Sequence, residues 1–246
     1  MSFLLRRLRD VDAFFFPATC LLCGDLRRSS RLILVCPSCR RLLRPVDGVT
    51  CLLCRSQNRE GEGFAAGRSC RDDAHQDFHV HAAVQMVDPA DQIVHALKFK
   101  DRPELGMTMA LLMARRLRRS GADQWDLVTP LPLHKTRERE RGYNQGLMLA
   151  LPLARRLKAR LEPRLLTRSR STGRQADLDY AARAANVAGA FRVRDRRRAS
   201  DRSLLAGKRV LLVDDVATTG HTLVQAIESF RSCGVAATSA AVFALA

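Results

Sequence analysis

Asp214 and Asp215 stand side by side in the stretch RVLLVDDVATTGHT, residues 209–222. Adjacent carboxylates repel each other, so a site that keeps both has a cation or hydroxyl donors to offer them. The residues after them are small or hydroxylated: Ala217, Thr218, Thr219, Gly220, His221 and Thr222. An apolar run, a short turn and a new apolar periodicity predict a strand stopping at Val213, a loop and a helix N-terminus. The first amides of a helix lack intrahelical partners and carry partial positive charge, so such a turn cradles a phosphate. Gly220 admits close backbone approach, and Thr218, Thr219 and Thr222 add hydroxyl donors. No lysine follows the glycine, which excludes a P-loop, and the dinucleotide fingerprint G-x-G-x-x-G is absent. The acid pair must then serve something beside the phosphate. Two vicinal sugar hydroxyls suit it, and a divalent cation on the same ligand would relieve the repulsion. A phosphorylated ribose carrying a metal-bound group meets all of these demands.

The second chemical signature is in the cysteines, at positions 20, 23, 36, 39, 51, 54, 70 and 233. Twelve residues separate the C-x-x-C pair Cys20/Cys23 from the pair Cys36/Cys39. Each knuckle presents two sulfurs on a tight turn, and two of them close a tetrahedral zinc site. Cys51 and Cys54 form a third knuckle, and Cys70 stands by itself. A second four-ligand site needs one more donor, for which Asp72, Asp73 and His75 are nearest and His75 is best by ligand chemistry. Spacing leaves open whether the first knuckle joins the second or the third. Four thiolates leave no open coordination position, so the zinc is expected to be structural. Cys233 reads as a small core residue, and His79, His81 and His95 as structural histidines in apolar surroundings.

The elements that must position these groups follow from periodicity. Residues 79–87 read as a strand. Residues 88–99 read as a helix with Asp88 as N-cap and Pro89 at its first position. Residues 103–119 form an amphipathic helix ending in cations. Residues 126–133 are a buried strand, and 144–161 a helix with Leu147, Leu151, Ala154, Leu157 and Leu161 on one stripe. After residues 181–191, a short helix entering a strand, come the acid-pair strand, a last helix ended by Gly234, and a closing strand. Strands alternating with helices predict an α/β fold with a mostly parallel sheet covered on both faces. Seven of the eight cysteines precede residue 71. The chain is therefore divided into a zinc-ribbon-like cysteine module, 1–78, and an α/β domain, 79–246.

The 246 residues carry a net charge of +17, with 42 Lys and Arg against 25 Asp and Glu. Such an excess points to a polyanion: nucleic acid or a phosphate-rich small molecule. Aromatics make up only 5% of the chain, so base-stacking platforms are few. No apolar run approaches about 20 residues, which predicts no membrane span. The N-terminus lacks the apolar region of a secretory signal, so the expected compartment is the cytoplasm.

Four further stretches carry a resemblance. VLLVDDVATTGHT resembles the phosphoribosyl pyrophosphate (PRPP) loop of type I phosphoribosyltransferases. FFFPATCLLCG, HALKFKDRPELG, PLPLHKTRERERGYNQGLMLA and STGRQADLDYAARAANVAGAF extend this to nearly the whole chain, which resembles the competence protein F (ComF) family. One departure stands out: Gly67 occupies the position where members commonly carry the first cysteine of a fourth C-x-x-C pair. The resemblance implies a type I phosphoribosyltransferase fold with an N-terminal zinc module. It implies that Asp214 and Asp215 bind the ribose hydroxyls and help to hold Mg²⁺, with Ala217 to Thr222 on the 5′-phosphate. Lys135, Arg137 and Arg141, after the strand 126–133, are the diphosphate partners it suggests. Arg174 and Gln175 lie in a segment suited to close over the ligand. The zinc ligands would come from Cys20, Cys23, Cys36, Cys39, Cys51, Cys54 and Cys70. A role in natural competence, with single-stranded DNA and a competence helicase or other competence protein as partners, is also implied. The other reading is an active transferase of nucleotide metabolism with an unidentified acceptor and no DNA role. Arginine clusters at 115–119, 137–141 and 155–160 are the expected DNA contacts.

Overall fold

The structure, a computed structural model, describes residues 19–25, 33–54, 57–58, 75, 77–168, 190–194 and 205–246. Cys70, Asp72, Asp73, Arg174 and Gln175 lie outside the described residues.

The central element is the strand β8 (Arg209–Ala217). Its neighbours in a seven-stranded sheet are β9 (Ala237–Leu245) and β4 (Leu127–Pro130), both parallel to it. Beyond β9 lies β3 (His79–Gln85), and beyond β4 lies β5 (Arg160–Leu161), again parallel. Two short strands, β1 (Val49–Cys51) and β2 (Gln57–Asn58), extend the sheet antiparallel past β3. The order is β2-β1-β3-β9-β8-β4-β5. A separate antiparallel pair is made by β6 (Leu166–Arg168) and β7 (Phe191–Val193).

Why β8 reads as a continuous apolar run is clear from its two faces. Leu211 and Val213 pack into one core layer, Val210 and Leu212 into the other. A strand buried on both sides has no polar face to alternate with. The first layer holds Cys39 of the short helix α1 (Pro37–Arg41) together with α2 (Ala90–Phe99), α3 (Leu105–Arg119) and α5 (Gln145–Leu157). The second holds α6 (His221–Glu228) with the β6–β7 pair.

Several local expectations change. Helix α2 starts at Ala90 with Pro89 as N-cap and no side-chain cap, because the Asp88 carboxylate accepts from the Gln92 side chain instead. Helix α5 ends at Leu157, where Lys158 turns left-handed (φ 56°), so Leu161 belongs to β5. The buried stripe of α5 is Gly146, Leu149, Ala150, Leu153 and Ala154, whereas Leu151 is 38% exposed. The leucine-rich helix offers apolar residues nearly all round, and contact with α3 and β8 selects which of them face inward. At the α3–α5 crossing, a Cβ on Gly106 would lie 2.4 Å from the Met148 carbonyl oxygen, so only glycine permits this approach. Finally, β8 does not stop at Val213 but continues through the acid pair to Ala217.

The cysteine segment packs on this framework. Val35 and Leu43 enter the first core layer, and the Leu34 amide donates to Thr108 Oγ1 of α3 at 3.0 Å. Arg116 of α3 is buried, its guanidinium donating to the Gly48 carbonyl. That removes Arg116 from the surface cluster expected at 115–119. Burial holds His81 far below its ordinary value, at about 3, with Arg116 adding to the effect, so it is a neutral core residue.

Candidate functional site

The connection after β4 runs through α5 outward to β5, while the connection after β8 runs through α6 the opposite way to β9. The two helices cover opposite faces of the sheet. Diverging connections open a crevice at the carboxyl ends of β8 and β4, the usual ligand position in parallel α/β sheets. The Leu131 amide donates to the Val213 carbonyl at 2.8 Å and closes the floor of this crevice.

Alternation along β8 sends the two acids to opposite faces. Asp215, in phase with Leu211 and Val213, meets α2: Lys98 Nζ lies 2.9 Å from Asp215 Oδ2. Asp214, in phase with Val210 and Leu212, faces the layer of β6. Burial lowers the Arg168 guanidinium from its ordinary value, Arg137 adds to this, and Asp214 opposes it, so these three charges share one electrostatic neighbourhood. Desolvation raises Asp214 to about 8; the neighbouring Asp215 charge adds to the rise. The Asp215 amide, donating to Asp214 Oδ1 at 2.9 Å, and the Lys98 ammonium offset part of it.

Past Ala217 the chain turns through exposed Thr218 and Thr219 to Gly220, whose φ of 71° is left-handed. Gly220 is the N-cap of α6 and has no side chain to satisfy the first-turn amides. Amide donors at a helix start are of the kind that bind anions. Gly220 is also buried under the third cysteine knuckle: a Cβ there would come within 2.7 Å of Leu52 Cδ2. The predicted loop residues thus run from the end of β8 (Ala217) through the turn Thr218, Thr219 and Gly220 into the first turn of α6 (His221 and Thr222).

After β4, residues Lys135–Arg141 form a short helix, α4, with Lys135 and Arg137 exposed. Arg141 donates to Gln145 Oε1 at 2.9 Å and lies 5.4 Å over the Phe99 ring. Arg137, Arg141 and Lys98 line one cavity of about 380 Å³, with Phe99 and Tyr143; Lys135 is not among its lining residues. Asn144 caps α5, its Oδ1 accepting from the Leu147 amide at 3.3 Å, and its Nδ2 donates to the Leu131 carbonyl. Sequence reasoning missed Lys98, Arg168 and Leu52. Lys98 sits in the final turn of α2, where a cation suits the helix dipole, and nothing in that pattern announces an acid 117 positions later.

The cysteines gather as two groups. Ligand atoms of Cys20, Cys23, Cys36 and Cys39 all lie within 4.8 Å of one another, as do those of Cys51, Cys54 and His75. The first knuckle therefore joins the second, which closes the alternative pairing. Four sulfurs so placed fit a tetrahedral zinc site. Burial opposes ionisation of Cys20, but amides of Cys36, Cys23 and Leu22 outweigh it and bring the thiol down to about 6, whereas burial pushes the Cys39 thiol up. In the second group Cys51 Sγ is 3.8 Å from His75 Nδ1, so His75 is the imidazole donor beside that knuckle.

Residues 144–245 match the model of the phosphoribosyl transferase domain. The DNA utilization protein YhgH of Escherichia coli K12 is 30% identical over 153 residues, 61% of this chain and 64% of that protein. The protein of that name from Salmonella typhimurium LT2 is 32% identical over 154 residues, 60% and 63% of the two chains. Competence protein F of Haemophilus influenzae is 29% identical over 153 residues, 61% and 65%. The aligned part spans just under two thirds of the length of these curated relatives. No helix among the described residues is long and apolar enough to cross a membrane. The parallel sheet, the acid-pair loop at its switch point and these matches make the chain similar to the DNA utilization and competence F proteins, with a fold like that of the phosphoribosyl transferase domain.

Proposed function

We propose that this chain binds PRPP with Mg²⁺ at the acid-pair loop and acts in natural competence, in contact with incoming single-stranded DNA. The observation that carries the reading is the continuity of β8, through both acids, into a helix N-terminus without a side-chain cap. The α6 amides and the hydroxyls of Thr218, Thr219 and Thr222 take the 5′-phosphate. Asp214 and Asp215 accept hydrogen bonds from the ribose 2′ and 3′ hydroxyls. The same acids fit Mg²⁺, since Asp215 already takes one cation, the Lys98 ammonium. When bound, the metal neutralises charge on the departing diphosphate. Arg137, Arg141 and Lys135 offer further cations on α4, Arg in bidentate form. Transfer breaks the bond from ribose C1 to the diphosphate oxygen, which keeps the electron pair. A bond from an acceptor nitrogen to C1 forms, and the acceptor proton passes to solvent.

The DNA role is supported by the names of the relatives, the +17 charge, and exposed cations at the end of α3 (Arg115, Arg118, Arg119) and around the end of α5 (Arg155, Lys158, Arg160). The first zinc group serves as a structural staple that holds the cysteine segment on α3, and the second is a further metal site. Docking of a competence helicase on this segment and a cytoplasmic location belong to the same reading. An active transferase of nucleotide metabolism is the second reading, favoured by the cavity beside Lys98.

Calorimetric titration with PRPP and Mg²⁺ tests the site. The double change Asp214→Ala, Asp215→Ala abolishes PRPP binding and leaves most single-stranded DNA affinity, which itself falls steeply with salt. Unchanged PRPP affinity in the double variant overturns the assignment. Diphosphate release measured with and without single-stranded DNA separates the two function classes.

A further inference from the structure

We propose that Leu52 is a positioning residue for the turn before α6, and that metal held by Cys51, Cys54 and His75 sets how firmly that turn is held. Leu52 stands inside the third knuckle, directly after Cys51 and ahead of Cys54. Its side chain is buried, in the same core layer as Leu223, Ala226 and Ile227 of α6. It lies so close to Gly220 that a Cβ on that glycine would meet Leu52 Cδ2 at 2.7 Å and Leu52 Cβ and Cγ at 3.7 Å. Gly220 is the left-handed N-cap of α6, and its carbonyl accepts from the Val224 amide at 2.9 Å. A shift of the knuckle therefore acts on the residue that opens the row of unpaired helix amides.

A short relay ties the knuckle to its imidazole donor. The Leu52 amide donates to the Phe78 carbonyl at 2.7 Å, and the Phe78 amide donates to the His75 carbonyl at 2.9 Å. The two segments that carry the ligand atoms thus meet at Leu52. Two sulfurs and an imidazole nitrogen within 4.8 Å of one another suit zinc, which takes both donor types. Cys51 is buried and Cys54 exposed, so bridging them to His75 pins the outer end of the knuckle to its inner end. Close packing then transmits a displacement of the knuckle to Gly220 rather than absorbing it. The two sites are linked: metal in the knuckle preorganises the turn, and an anion bound on the turn tightens the metal by the same factor. This inference rests on the metal reading of the second cysteine group and, for its anion, on the PRPP reading of the turn.

The test is hydrogen exchange read by mass spectrometry on the full-length, zinc-loaded chain and on Cys54→Ser, Leu52→Ala and Leu52→Met. Cys54 is exposed, so its serine variant withdraws a metal donor without opening a cavity in the core. In Cys54→Ser the amides of residues 218–224 exchange about tenfold faster, while those of α3 and β9 keep their protection. Leu52→Ala gives the same loss at the turn with its zinc retained, and Leu52→Met restores protection. Loss at the turn with zinc retained separates positioning by Leu52 from loss of the metal itself. Unchanged exchange at the turn in either Cys54→Ser or Leu52→Ala, or faster exchange spread equally over α3 and β9, overturns the proposal. Native mass spectrometry counts the zinc: a wild type and a Cys54→Ser variant with equal zinc sink the metal reading of the second group, and the coupling with it. Titration with PRPP and Mg²⁺ adds the reciprocal arm. Affinity falls about tenfold in Cys54→Ser and in Leu52→Ala, and PRPP slows zinc loss from the wild type but not from Leu52→Ala. Wild-type affinity in both variants overturns the coupling. A wild type that binds no PRPP but keeps the exchange pattern sinks the sugar reading and leaves the coupling standing.

Discussion

Replacing Asp214 with asparagine changes how stability depends on pH. In the fold, desolvation and the Asp215 charge raise the Asp214 carboxyl from 3.8 to about 8. Between those two pH values the folded chain holds a proton that the unfolded chain has released. The unfolded state binds fewer protons, so stability falls as pH rises from about 4 to about 8 and then levels off. An isolated group with that shift would cost about 6 kcal/mol at alkaline pH. The Lys98 ammonium gives the pair a countercharge, so the expected cost is about 2–4 kcal/mol. Asp214→Asn keeps the oxygen that accepts from the Asp215 amide and has no proton to lose. Urea unfolding followed by the fluorescence of Trp125, the sole tryptophan, gives the stability of both proteins at pH 5 to 9. The asparagine variant gains on the wild type by about 2–4 kcal/mol across this window, and the difference saturates above pH 8. A difference that stays constant within about 0.5 kcal/mol refutes the picture of a desolvated acid pair. Asp215→Asn is the control: it strips Lys98 of its partner and destabilises across the whole pH range. On the proposed binding of PRPP with Mg²⁺ at the acid pair, the ligand releases this proton at pH 7 and binds more tightly as pH approaches 8.

Three other changes probe the framework. Gly220→Ala places a methyl within 2.7 Å of Leu52 in a left-handed backbone; unfolding stability falls by about 1–3 kcal/mol and PRPP binding is lost, both checked on the purified variant. Gly106→Ala forces α3 away from the Met148 carbonyl, with a loss of about 1–3 kcal/mol in urea unfolding and no direct contact with the acid pair. Cys39→Ala removes about one equivalent of zinc by mass spectrometry under native conditions and lowers the melting temperature, whereas chelation of the wild type reproduces the drop.

The strand-to-helix turn of residues 209–222 was legible because its information is local. Apolar residues buried on both faces, a glycine with positive φ and hydroxyls at a helix start all follow from sequence neighbours. The C-x-x-C knuckles were legible for the same reason, since each is a turn of four residues. The choice of first knuckle with second, and of His75 beside Cys51, needed the packed chain, because three equivalent sulfur pairs look alike in one dimension. The stripe on α5 was misjudged where leucines surround the helix and only the approach of α3 and β8 chooses among them. Lys98 on Asp215, Leu52 on Gly220 and Phe99 beside Arg141 were invisible, since each joins segments more than 40 residues apart. Local backbone preference writes the chemistry of a turn into consecutive residues. Which charge neutralises it, and which side chain walls it in, depends on the order of strands in the sheet, and that order is settled only when the core closes.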